Sequence, residues 1–173
     1  MIFMVCQYRD ELRIAERGDS MNKIEVLKRS DLFRELDDDQ LKLVAAMGKR
    51  EVFDAGTIVH KQGCLGDMIY VIEEGLAGII LEVGPMAQRQ VQAATNFESF
   101  GWVAMIPPYT CTATSKTLEK TRTIAFNGRE LLGLCTAHPA IGFKVLQALA
   151  CVISGRLRQA YVQLLGVTGA DGH

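Results

Sequence analysis

The side chains able to do chemistry on their own are few and scattered. Five cysteines, Cys6, Cys64, Cys111, Cys135 and Cys151, stand far apart, and no two form a Cys-x-x-Cys pair. Three histidines, His60, His138 and His173, fall at unrelated spacings. A structural zinc site needs four convergent ligands and a catalytic one needs three with an open position, and neither spacing occurs. An enzyme of the metal-dependent double-sheet class would require such a cluster, so neither catalysis nor a resident metal is expected. The odd, dispersed set of thiols fits reduced cysteines in a cytoplasmic protein. Asp37-Asp38-Asp39 is a dense acidic run. It stands just ahead of Leu41, Leu43, Val44 and Met47, where it reads as a helix cap rather than a metal site.

Composition narrows the class further. The 173 residues suffice for one domain with a normal core, and 49% hydrophobic with 23% charged residues is ordinary for a globular protein. A formal net charge of -1 lacks the basic excess of a nucleic-acid-binding domain. The apolar run Met1–Val5 is too short for a signal-peptide core. No stretch is expected to suit a membrane helix of roughly 20 apolar residues. Met21 opens a well-formed helical pattern, so residues 1–20 read as a loosely attached extension and 21–173 as a single domain.

The elements that must position any site follow from the hydrophobic period. Ile24, Val26, Leu27, Leu32 and Phe33 mark a short amphipathic helix and turn, and the acidic cap starts a second helix that Gly48 would stop. From Glu51 the period shortens. Val52-Phe53, Gly56 to Val59, Met68 to Ile72, Leu76 to Leu81, Gln88 to Ala94 and Thr112 to Phe126 are β-rich runs separated by Gly56, Gly63, Gly66, Gly75 and Gly84-Pro85. The expected fold is mainly β with flanking helices: a jelly-roll-like double-stranded β-roll of about eight strands over residues 50–127. Helices over 128–166 follow. Gly128 to Cys135 makes one or two turns, and Pro139 starts a helix that runs to Leu165 with an apolar stripe of Val145, Leu149, Val152, Ile153, Leu157, Tyr161, Leu164 and Leu165. At 1.5 Å per residue it would be roughly 40 Å long, more than a compact roll can cover. Arg156 and Arg158 read as its exposed flank, and Gly166, Gly169 and Gly172 close a polar tail.

This order of elements resembles the cyclic-nucleotide-binding domain, the sensor half of CRP/FNR-type regulators and of cyclic-nucleotide-dependent kinase regulatory subunits. The residues that carry the resemblance are Leu32-Phe33 and Leu36, Phe53, Gly56, Ile58, Lys61-Gln62-Gly63, Gly66-Asp67, Tyr70-Val71-Ile72, Gly75, Phe100-Gly101 and Ala113-Thr114. They span about residues 25–165. Some relatives sense haem or redox state, but Cys111 and His60 without supporting spacing read as a core cysteine and a strand-end histidine.

The resemblance implies a phosphate-binding cassette between Phe100 and Thr114. In ligand-binding members a glutamate after the glycine accepts the ribose hydroxyl, and an arginine near the far end grips the cyclic phosphate. Backbone amides at the start of a helical turn assist. Aligned on Gly101 and Ala113, those two positions are Trp102 and Cys111 here, and the nearest later cation is Lys116. Losing both charged contacts would weaken binding on the order of a hundredfold or more. The candidate ligand-binding set is Phe100, Gly101, Trp102, Val103, Ala104, Thr110, Cys111, Thr112 and Ala113. Two outcomes are open. The cavity survives for a cyclic nucleotide or another small molecule, with Trp102 as a stacking face and Thr110 and Thr112 as polar partners, or Trp102 fills it and leaves an interaction protein.

DNA-binding relatives carry roughly 60 further residues with a recognition helix. The chain reaches only His173, so DNA binding by it is not expected, nor is a membrane partner. Its long helix implies a homodimer through Val145, Leu149, Val152, Ile153, Leu157 and Tyr161, or docking of a separate protein partner.

Overall fold

The computed structural model describes residues 21–84 and 87–165. The extension expected at residues 1–20 and the glycine-rich tail lie outside the described residues. Two helices open the fold. In α1 (Lys23–Arg29) the Asn22 side chain accepts from the Ile24 amide. In α2 (Asp38–Met47) a reciprocal capping box forms, with Asp37 Oδ1 accepting from the Gln40 amide at 2.9 Å and Gln40 Oε1 from the Asp37 amide at 3.2 Å. The acidic triplet therefore starts a helix, as its spacing predicts. Gly48 ends that helix with an ordinary φ of -69°. A Cβ there would lie 2.6 Å from Ile124 Cγ2, so close packing accounts for the glycine.

The expected eight strands form the roll: β1 (Lys49–Phe53), β2 (Ile58–His60), β3 (Met68–Glu74), β4 (Ala77–Gly84), β5 (Ala87–Ala94), β6 (Ser99–Phe100), β7 (Thr114–Thr117) and β8 (Thr121–Asn127). They make two antiparallel four-stranded sheets, ordered β1-β8-β3-β6 and β2-β7-β4-β5. Gly75 turns the chain from β3 to β4 at φ +123°, where side chains are disfavoured. Gly66 differs from the turn expected of it. It takes no positive φ, and a Cβ there would meet Cys111 Sγ at 2.9 Å.

Strand β3 shows why the sequence runs apolar without alternation. Ile69 and Val71 pack with Ile124, Phe126 and the helices in one cluster, while Tyr70 and Ile72 pack with Phe100 and Ala125 inside the roll. Both faces are covered, so both must be apolar. Glu73, buried beside them, is paired with Arg50 at 3.1 Å.

After β8, α3 (Gly128–Ala137) runs ten residues, longer than the one or two turns expected. His138 is the joint between helices rather than part of one, and Pro139 begins α4 (Pro139–Leu164) at its first turn. The front half of α4 buries Ile141, Val145, Ala148 and Leu149 against α2, α3 and β3. Its rear half does not simply project. Arg156 and Gln163 reach back to β5, where Gln163 Nε2 donates to the Val91 carbonyl at 2.7 Å. By length and composition the segment Pro139–Gln163 is apolar enough to cross a bilayer, which corrects the expectation that no stretch would be. The reason is that α4 carries two apolar faces, one packed into the core and one left open.

Candidate ligand pocket

The turn from β6 into the next element builds one wall of a small cavity. Gly101 sits at φ +80°, and a Cβ there would come within 2.5 Å of His60 Cε1 and 2.6 Å of the Met68 carbonyl oxygen. Only glycine satisfies both conditions. The left-handed turn aims the chain into a 3-10 helix, Trp102–Met105, closed by the Ala104 amide donating to the Gly101 carbonyl at 3.0 Å. The opposite wall is the segment before β7. Cys111 is fixed there by its amide donating to the Cys64 carbonyl and its carbonyl accepting from the Gly63 amide, both at 2.8 Å.

The cavity between them measures about 60 Å³. Phe100, Gly101, Trp102, Val103, Cys111, Thr112 and Ala113 all line it, so seven of the nine candidate residues are brought together. Ala104 and Thr110 are not among its walls. Ala104 is buried where a Cβ on Gly128 would meet its carbonyl at 2.3 Å, so it packs on the start of α3. Thr110 pairs in an isolated bridge with Leu65. Lys116, the nearest cation in sequence, is not on the cavity wall, which at that strand is formed by Ser115. The remaining walls come from Ser99, next to Phe100, and from His60, Ile79, Gln92 and Arg156, which are distant in sequence.

Arg156 corrects the sequence reading most. Far from being an exposed flank, it is half-buried and donates to Gln92 Oε1 at 3.2 Å, the Ala93 carbonyl at 3.4 Å and the Ser99 carbonyl at 3.4 Å. Gln92 Nε2 answers by donating to the Arg156 carbonyl at 3.0 Å. Val145, Leu149, Val152 and Arg156 share one helical face, and only the packing of α4 on the roll turns that face inward. On the far side of Arg156 lies a larger groove of about 690 Å³, between α4 and the turn after α1, walled by Asp31, Phe143, Lys144 and Val152 among others.

The electrostatics follow from burial. Desolvation holds His60 below the ordinary imidazole range, only partly offset by Asp67 and the Met68 carbonyl, so the ring is neutral. Burial pushes the Cys111 thiol up and Tyr70 up to about 12, leaving both protonated. Tyr70 stacks on Phe100 with ring centroids 5.1 Å apart and meets His60 at 5.5 Å, an aromatic floor beneath the cavity. Asp31 is raised by burial, though Ser99 and Arg156 pull it back down. No carboxylate lines the cavity, and Arg156 is the one cation on its wall among the described residues. No group of three or more His, Cys, Asp or Glu among the described residues is placed to hold a metal ion.

Comparison with known proteins places this architecture. A candidate cyclic-nucleotide-binding protein from Geobacter metallireducens superposes with a TM-score of 0.69 at 23% identity, covering 79% of this chain and 99% of that one. The regulatory domain of Toxoplasma gondii PKA, crystallised with cAMP, superposes at 0.58 with 19% identity over 66% of this chain and 43% of that one. In sequence, a candidate potassium channel protein from Rhodopseudomonas palustris is 24% identical over 144 residues, 83% of this chain. The chain spans only 33% of that relative's length. No protein-family model matches. The chain has the fold of cyclic-nucleotide-binding domains, a β-roll with helices at both ends.

Proposed function

We propose that this chain is a regulatory sensor domain whose cassette does not accept cAMP or cGMP in the usual way, and whose output passes through protein contacts along α4. The observation that carries the first part is the cavity. At about 60 Å³ it falls well short of the roughly 300–1,000 Å³ of ordinary ligand pockets. Trp102 and Cys111 stand on its walls, where the resemblance would put the acid and the arginine. Neither side chain can offer a charge to a ribose or a cyclic phosphate.

The second part rests on the open face of α4. Of the six residues expected at the dimer seam, Val145 and Leu149 are buried in the chain's own core, Val152 and Ile153 are half-buried, and Leu157 and Tyr161 are exposed. Phe143, Leu146 and Val162 are exposed on the same helix. Phe143, Ala150 and Leu157 recur every seven residues, with Leu146, Ile153 and Ala160 three residues after each. That is the seven-residue spacing of a helix–helix seam. A second copy of the chain covers such a stripe with its own, and the homodimer is the form in which we expect the domain to signal.

Calorimetric titration of ligand-free protein with cAMP and cGMP tests the cassette. The expected result is no binding below millimolar concentration, and a submillimolar dissociation constant for either would overturn the reading. The same small cavity also favours a second reading, an interaction protein that binds no small molecule. A ligand that fits the reduced space separates the two.

A further inference from the structure

We propose that Cys64 and Cys111 are a redox pair, which a hydroperoxide oxidises to a disulfide that remodels one wall of the cavity. This goes beyond the sensor reading and stands whether or not the cassette takes a nucleotide. The pairing is built into the backbone. The Gly63 amide donates to the Cys111 carbonyl and the Cys111 amide donates to the Cys64 carbonyl, both at 2.8 Å. Gly63 stands at φ +81°. Two residues thus oppose one, with a left-handed glycine first, which is a G1 bulge. The bulge sets Cys64 across from Cys111. Residues opposed through ladder hydrogen bonds have Cα atoms about 5.5 Å apart, inside the roughly 4.4–6.8 Å that a disulfide spans. The pairing continues through the Leu65–Thr110 bridge and the Gly66 amide, which donates to the Tyr109 carbonyl at 2.8 Å.

The two thiols share a face. A Cβ on Gly66 would lie 2.9 Å from Cys111 Sγ, so Gly66 presents the side of its segment that Cys111 occupies. Leu65 is held extended by its bridge, and alternation returns Cys64 to the same side. Burial, and next the charge of a Cys64 thiolate, push the Cys111 thiol up, so one sulfur feels the charge of the other. Access divides their roles. Both are free thiols, Cys64 exposed and Cys111 only 4% exposed, so the peroxide meets Cys64 first. The Cys64 thiolate attacks a peroxide oxygen and breaks the O–O bond, leaving a sulfenic acid and, with one proton, water or an alcohol. Cys111 then attacks the Cys64 sulfur. The S–S bond forms, the S–O bond breaks, and the departing hydroxide takes the Cys111 proton as water. The two sulfurs give two electrons to the peroxide, and a dithiol restores both thiols by exchange. Cys111 lines the cavity with Trp102 and Val103, so drawing its sulfur to Cys64 moves the wall beside them.

The test treats the dilute, fully reduced chain with one equivalent of hydrogen peroxide, blocks the remaining thiols by alkylation and maps the peptides by mass spectrometry. The main product should be a linked Cys64–Cys111 peptide, lighter by about 2 Da for the two hydrogens removed and restored by dithiothreitol. In Cys64→Ser the Cys111 thiol should survive the same treatment, because it is buried and protonated. In Cys111→Ser, Cys64 should accumulate a sulfenic acid that dimedone traps, where the unaltered chain gives little. Cys151→Ser, which removes another exposed thiol, should form the bridge as fast as the unaltered chain. Trp102 is the single tryptophan and lines the cavity, so its emission should change on bridging and stay constant in Cys64→Ser. Melting curves show that each variant is folded. A Cys111 that keeps its thiol in the folded chain, or a dominant bridge to another cysteine, overturns the proposal. Bridging without a change in Trp102 emission overturns the remodelling of the wall. None of these results bears on cAMP or cGMP, so the sensor reading is tested separately by the nucleotide titration.

Discussion

Replacing Leu157 by glutamate should split the homodimer while leaving the fold intact. Leu157 is 49% exposed in the single chain and belongs to neither hydrophobic core cluster. Burying a leucine fully is worth roughly 1.5–3 kcal/mol, so about half, near 1 kcal/mol, remains to be gained at an interface. In a parallel symmetric pair the residue counts twice, about 2 kcal/mol, because each copy faces its mate at a seven-residue repeat. Two carboxylates brought to that point add a repulsion of about 1 kcal/mol even in water, and more where solvent is excluded. The sum, about 3 kcal/mol or more, weakens association roughly a hundredfold. Sedimentation equilibrium over a range of concentrations reads this directly. Circular dichroism and thermal melts of a dilute sample should be unchanged. Val145→Ala is the opposite control: Val145 is 0% exposed in the core, so the variant should lose stability without changing the seam itself. A wild-type chain that stays monomeric at high concentration, or a Leu157→Glu variant that associates as tightly as wild type, would refute the reasoning.

Further expectations concern the pocket and the caps. Gly101→Ala should destabilise the fold by about 2–4 kcal/mol, combining the penalty for a left-handed backbone with overpacking against His60 and the Met68 carbonyl, and urea denaturation measures it. The folded-state pKa of His60 lies below its unfolded value, so the unfolded chain binds more protons as the pH falls. The stability His60 contributes is complete above the unfolded value near 6.5 and declines on acidification towards the folded value. Melting temperatures from pH 7.5 to 5.5 should therefore fall less steeply in His60→Gln, and an unchanged slope would show that the buried ring is not responsible. Asp37→Ala removes a capping box and should cost about 1 kcal/mol in chemical denaturation, with no effect at the pocket.

Much of the architecture was legible in the chain itself, because local rules decide it. Asp37 and Gly48 bracket α2, Pro139 starts α4, and the change of period at Glu51 marks the passage from helix to strand. Those signals depend on neighbours within a few residues, where backbone hydrogen bonding and side-chain alternation act. The resemblance in the cassette was equally local, and seven of its nine residues do line one cavity. The cavity's size and its cation were not legible. They depend on where α4 comes to rest, which brings Arg156 to Gln92 across 64 positions of sequence and seats His60 of β2 against Gly101. The apolar stripe of α4 likewise read as one face, since a 3.6-residue period cannot say which of two adjacent stripes meets the chain's own core. Tertiary packing divided them, taking Val145 and Leu149 inward and leaving Phe143 and Leu157 open, because the helix lies on the roll along one line only.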